Sequence, residues 1–129
     1  MIRGRSKNHW WGTALEAPDP EALASFHSSL LDWPVVHVEP DTAVIQPPQA
    51  DVFMVFQRAN GFVPPVWPPG PGEQRPMMHL DIEVDDLATS TADALALGAR
   101  LADFQPRENV SVLFDPAGHP FCLCLDQGD

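Results

Sequence analysis

The clearest pattern in the chain begins at His79. Leu80, Ile82 and Val84 are apolar, while His79, Asp81 and Glu83 between them are polar or charged. A period of two predicts a strand with one face buried against helices and the other left open. Asp86 then stands as the N-cap of a helix that runs through Leu87, Ala94, Leu95 and Leu97 and stops at Gly98. Two strands follow, Val110 to Phe114 and Phe121 to Leu125. The turn Asp115-Pro116-Ala117-Gly118 between them has proline early and glycine late. Upstream, Trp10 to Ala17 predicts a strand of poorer alternation. Asp19 and Pro20 open a helix whose stripe is Ala22, Leu23, Phe26 and Leu30, and Pro34 closes it. A short strand is predicted within Pro34 to Pro40, on Val35, Val36 and Val38, another at Thr42 to Gln46, and a strongly apolar, central one at Val52 to Gln57.

The two halves are alike. With Asp19 placed over Asp86, Leu15 falls on Ile82, Glu16 on Glu83, Leu30 on Leu97 and Gly12 on His79. Each half predicts a strand, a helix and about three strands. A repeated unit that cannot bury its sheet alone implies two copies packed together in one domain over 1–129. The predicted class is α+β, with two tandem βαβββ modules at about 9–60 and 77–126. The segment 61–76 between them is rich in proline and carries Trp67. It predicts a stiff, hydrogen-bond-poor connector, with Trp67 available as a flap over a cavity.

Charge and composition narrow the function classes. A net charge of −11 over 129 residues argues against nucleic acid and anionic membrane as partners. No apolar run approaches the ~20 residues of a membrane span. The basic start, Met1 to Asn8, leads into no signal-peptide core, which predicts a cytoplasmic protein. Cys122 and Cys124 share one strand face but cannot readily bridge, so both are expected as free thiols filling apolar space. Gly-rich phosphate loops and Gly-x-Ser-x-Gly elbows are missing. Four tryptophans are many for this length. Trp10, Trp11, Trp33 and Trp67 are candidates for an aromatic ligand wall. Phe53, Phe56 and Phe121 suit either a cavity or the core. The core is the better expectation, with Phe56 kept as a candidate ligand contact.

Several motifs together resemble the vicinal oxygen chelate superfamily of glyoxalase I, bleomycin-resistance proteins and extradiol dioxygenases. They are Ala17-Pro18-Asp19-Pro20 with Phe26 and Leu31-Asp32-Trp33, then Val55-Phe56-Gln57-Arg58. The stretches from His79 to Asp86 and from Phe114 to Leu123 complete the set. They look most like its glyoxalase-like domain subgroup, from about Trp10 to Leu125. The resemblance implies a cupped mixed sheet with helices outside and a pocket inside. It also implies a divalent metal held by His and Glu from the first and last strands of each unit.

Carried over residue by residue, those metal positions read His79, Gly12, Cys122 and Gln57. The match for Gln57 rests on Phe-Gln-Arg; counting from the turn gives Met54 or Phe56 instead. His79 alone is a strong ligand in place, and no carboxylate stands at the other three. A His79–Gln57–Cys122 set could hold zinc, iron, manganese or nickel. Asp81 shares the strand face of His79, but positions two apart on a strand differ by ~7 Å, so the pair would need help from other strands. His79 is also expected as a pocket histidine hydrogen-bonded to a carboxylate, orienting a ligand or acting as a base. Two classes stay open. The favoured one is a metal-free or metal-degenerate module binding a small, partly aromatic ligand through Trp11, Trp33, Phe56, Gln57, Trp67, His79, Asp81 and Cys122. The other is a metal-dependent lyase, isomerase or dioxygenase. A homodimer is expected, since in some members the partner chain completes the cup.

Overall fold

A computed structural model describes residues 2–126 of the chain. The chain divides into two compact units, Met1–Phe62 and Val63–Asp129. Each is a four-stranded mixed sheet with one helix, in the order strand, helix, three strands, so the α+β class and the two tandem βαβββ modules are present.

In unit 1, β1 (Trp11–Ala17) pairs in parallel with β4 (Val52–Arg58), and β3 (Thr42–Ile45) and β2 (Val35–Glu39) continue the sheet antiparallel. Helix α1 (Pro20–Leu31) starts where Asp19 accepts a hydrogen bond from the Ala22 N–H at 3.1 Å, with Pro20 in the first turn. It ends at Asp32, which takes the left-handed conformation (φ 56°, ψ 42°). Leu23, Phe26 and His27 of α1 are buried, as are Ala43 and Ile45 of β3 and Met54 and Phe56 of β4. Phe56 is completely buried and its ring stacks on His27 at 5.4 Å. This corrects its candidacy as a ligand contact: in β4 the alternation sends Phe56 to the buried side with Met54 and leaves Phe53, Val55 and Gln57 for the other.

In unit 2, β5 (Leu80–Val84) pairs in parallel with β8 (Pro120–Leu125), followed by β7 (Val110–Phe114) and the two-residue β6 (Arg100–Leu101). Helix α2 (Leu87–Leu97) is capped by Asp86, which accepts from the Thr89 N–H at 3.0 Å, and ends at Gly98 with φ 117°. Phe121, Leu123 and Leu113 fill the core of this unit. Thr91 of α2 is hydrogen-bonded to Ser111 of β7 at 2.9 Å, so the side of β7 bearing Ser111 is the helix side. Cys122 and Cys124 alternate with Phe121 and Leu123, and Val110, Val112 and Phe114 with Ser111 and Leu113. They therefore take the opposite side of the sheet.

That side of unit 2 carries an apolar cluster of its own. Ala102, Val112 and Phe114 are buried there, with Trp67, Val110 and Cys122 packed against them. The proline-rich segment is more ordered than its composition predicts. The Val66 N–H donates to the Gln74 carbonyl at 2.7 Å, and the Gly70 N–H donates to the Glu73 carboxylate at 2.8 Å. The segment is a closed loop that presents Trp67, because the glycines between the prolines restore donors and allow the turn.

Candidate functional site

The strand registers identify equivalent positions in the two units. In unit 1, Gly12 lies opposite Phe53, Ala14 opposite Val55 and Glu16 opposite Gln57. In unit 2, Asp81 lies opposite Cys122 and Glu83 opposite Cys124. The overlay that carries Gly12 onto His79 therefore carries Ala14 onto Asp81, Val55 onto Cys122 and Gln57 onto Cys124. The expected pairing of Gln57 with Cys122 as equivalent positions is corrected by one strand alternation. The turn before β4 and the turn before β8 differ in length, so counting from them misplaces the register.

The open face of unit 2 gathers donor atoms. His79 Nε2 is 3.1 Å from the Asp81 carboxylate. The ~7 Å offset along the strand is closed by the reach of the two side chains, without a third strand. Donor atoms of His79, Asp81 and Cys122 all lie within 4.8 Å of one another. Asp81 reaches Cys122 because the two are register partners across the parallel β5–β8 pair. Both cysteines are free thiols. Burial pushes the Cys122 thiol up to about 11, helped by the negative charge of Asp81 and by Cys124. The Cys124 thiol is raised as well, through burial and then through Asp81 and Glu83. Each shift has the same physics: a thiolate here would lose hydration and face carboxylates.

These groups line a cavity of about 430 Å³, within the range of small-molecule sites. Its apolar walls are Trp67, Val110, Val112 and the rings of Pro76, Pro106 and Pro120. Its polar lining is His79, Asp81, Cys122, Cys124 and Arg107. Two devices hold the wall. The Trp67 ring packs on Phe104 with centroids 5.6 Å apart. Gln105 then acts as a stand-in strand: its side-chain carbonyl accepts from the Val112 N–H at 2.9 Å, while its amide donates to the Ala102 and Val112 carbonyls, each at 2.9 Å. This fixes the loop that brings Pro106 and Arg107 to the cavity. Gln105 and Arg107 were missed by sequence reasoning. A lone polar residue between a phenylalanine and a proline carries no periodic signal.

The donor set can be tested against the metal implied by the resemblance. One imidazole, one carboxylate and one thiol are donors that zinc accepts, and a thiolate favours such borderline ions over manganese, which prefers oxygen and nitrogen. His79, Asp81 and Cys122 would hold such an ion, and the Cys122 proton would have to leave.

The other expected contacts, Trp11, Trp33 and Gln57, belong to unit 1. Trp11 is 60% exposed at the start of β1 in unit 1. Trp33 is half-buried just past α1, where its carbonyl accepts from the Ser28 hydroxyl at 2.6 Å and its N–H donates to the Ser28 carbonyl. Gln57 sits exposed on β4 of unit 1. Unit 1 gathers no equivalent donors at the positions overlaid on His79, Asp81 and Cys122. There a Cβ on Gly12 would lie 2.3 Å from the Phe53 ring, which in turn faces Trp10 at 6.4 Å.

Comparison with known proteins agrees with this architecture. The family model described as the glyoxalase-like domain matches residues 12–124. No curated protein matches the chain. Among solved structures, the fosfomycin resistance protein FosX from Mesorhizobium loti is 18% identical, with 98% of this chain and 95% of that chain covered and a TM-score of 0.63. TnmS3, an antibiotic binding protein from Streptomyces sp. CB03234, is 16% identical, covers 98% and 100%, and has a TM-score of 0.61. FosX from Listeria monocytogenes, complexed with Mn(II) and sulfate ion, is 14% identical, covers 98% and 93%, and has a TM-score of 0.68. At these identities the likeness is one of fold.

Proposed function

The chain belongs to the glyoxalase-like domain family, and from that premise we propose that it binds a small, partly aromatic molecule on the open face of unit 2. The observation that carries this reading is the cavity walled by Trp67, three prolines and two valines, with a few polar groups converging on it. A flat ring gains by covering Trp67 and the valines, while the His79–Asp81 pair offers a donor and an acceptor to orient it. TnmS3, an antibiotic binding protein of the same fold, supports a sequestering role. The test is calorimetric titration of wild-type and Trp67→Ala protein with a panel of planar aromatic compounds. Saturable binding to wild type, lost in Trp67→Ala, is expected; failure of the whole panel to bind would sink the reading.

One observation favours a second reading, a metal-dependent enzyme of the vicinal oxygen chelate type. It is the convergence of His79, Asp81 and Cys122 donors. In that case the ion would polarise a substrate oxygen, and His79 would cease to pair with Asp81. Metal analysis of protein purified without chelator separates the two. Near-stoichiometric zinc or iron that disappears in His79→Ala would move the assignment to the enzyme. We also propose a homodimer, for which light scattering should give a mass near twice 14.2 kDa. No described helix is long and apolar enough to cross a membrane.

A further inference from the structure

We infer that the ligand of the unit 2 cavity is an aromatic oxyanion, a carboxylate or a group of the same charge and shape, anchored by Arg107. The inference rests on the cavity reading above and adds the charge class of what fills it. Arg107 is the one arginine or lysine among the residues lining the cavity. Among the described residues Arg107 makes no hydrogen bond or ion pair. Of the other arginines, Arg58 reaches Asp41 at 3.1 Å and also donates to the Pro18 and Pro40 carbonyls, Arg100 lies over the Phe114 ring at 4.6 Å, and Arg75 on the proline-rich loop does not line the cavity.

Arg107 is also firmly mounted. It stands two residues after Gln105, whose three hydrogen bonds tie the loop to Ala102 and β7, and three after Phe104, which packs on Trp67. A guanidinium held beside apolar walls offers a planar fork of donors that matches a carboxylate. Arg107 is exposed, so the pairing stays open to screening by salt. Elsewhere the lining is acidic or neutral at this face, with Asp81 and the two protonated thiols. In a chain of net charge −11, that contrast fixes the orientation of a monoanion. Its charged group goes to Arg107, its ring lies against Trp67, and its far edge meets the His79–Asp81 pair.

The experiment uses 2-naphthoate, neutral 2-naphthamide and cationic 2-naphthylmethylammonium as probes, titrated calorimetrically into the full chain. Wild type should bind naphthoate about tenfold more tightly than naphthamide, and the cation more weakly still. Arg107→Gln should bring naphthoate and naphthamide within about twofold of each other, Arg107→Lys should restore part of the preference, and Arg75→Gln on the proline-rich loop should leave it intact. Raising the salt concentration should erode the preference in wild type. Equal binding of naphthoate and naphthamide, both lost in Trp67→Ala, would overturn the anion inference and leave the cavity reading standing. A naphthoate preference that survives Arg107→Gln would do the same. If none of the three probes binds, the cavity reading falls and takes the inference with it. Arg107 is exposed and unbonded, so circular dichroism of its variants should match wild type.

Discussion

The two units have one topology and opposite surfaces. Both use a parallel pair of strands, an aspartate-capped helix and a buried core on the helix side. On the other side, unit 1 places Gly12, Ala14 and Val55 where unit 2 places His79, Asp81 and Cys122. The ring of Phe53 occupies the space a side chain at position 12 would need. Unit 2 has Pro120 at the position of Phe53 and leaves room for His79. The same scaffold thus carries an aromatic ring over this face in one copy and grouped donor atoms beside a cavity in the other. The helix-side core makes the fold, and the alternate side chains of the same strands differ between the copies.

The sharpest way to break this comparison is through the cores. Phe56→Ala should destabilise by about 3–5 kcal/mol, because a fully buried ring is removed, and the corresponding Leu123→Ala by about 2–5 kcal/mol. Urea denaturation followed by circular dichroism measures both. A loss below about 1 kcal/mol at Phe56 would mean that it does not form the core described.

A second contrast lies in the thiols. With its thiol pushed up to about 11, Cys122 should react with iodoacetamide at pH 8 roughly 100-fold more slowly than an unperturbed cysteine. Asp81→Asn should recover part of that rate, since burial would remain and the carboxylate charge would go. Mass spectrometry of quenched samples reads the rate, and alkylation at the speed of a free thiol would contradict the assigned environment. The same shift has a sign for stability. The unfolded thiol titrates near 9.0, so the folded protein loses stability as pH rises from there towards 11.

Gln105→Ala should cost about 1–2 kcal/mol by leaving the Val112 N–H without its acceptor, the Val112 carbonyl keeping the Ala102 N–H, and it should loosen Phe104, Pro106 and Arg107. Hydrogen exchange at the Val112 amide is the direct readout, and unchanged protection there would refute the strand-like role of Gln105. The smallest effects come from the two helix ends. Gly98→Ala should cost about 1 kcal/mol at φ 117°. Asp32→Gly should stabilise by about 0.5 kcal/mol, because Asp32 adopts a conformation that glycine reaches without penalty. Thermal unfolding of the two variants should move in opposite directions.

Much of the fold was legible because hydrophobic alternation and capping chemistry are local. The period of two at Leu80, Ile82 and Val84, the caps Asp19 and Asp86, and the stop at Gly98 each appear where the pattern puts them. The candidate site was only half legible. His79, Asp81 and Cys122 could be named from the sequence. Their convergence depends on the parallel register of β5 with β8, which sequence spacing does not specify. Phe56 was carried as a ligand contact although the alternation through Val52 to Gln57 already divides that strand into two sides. The ordered proline-rich loop and the Gln105 clamp were invisible, because both depend on side-chain and backbone hydrogen bonds between segments with no period.

The difference between the two corresponding faces is tested most directly by amide chemical shifts during titration with 2-naphthoate. The account predicts the largest changes at the Trp67 indole N–H and at the amides of His79, Asp81, Arg107 and Cys122. Gly12, Ala14 and Val55 should stay nearly still. Large changes on β1 and β4 with a silent Trp67 would contradict it.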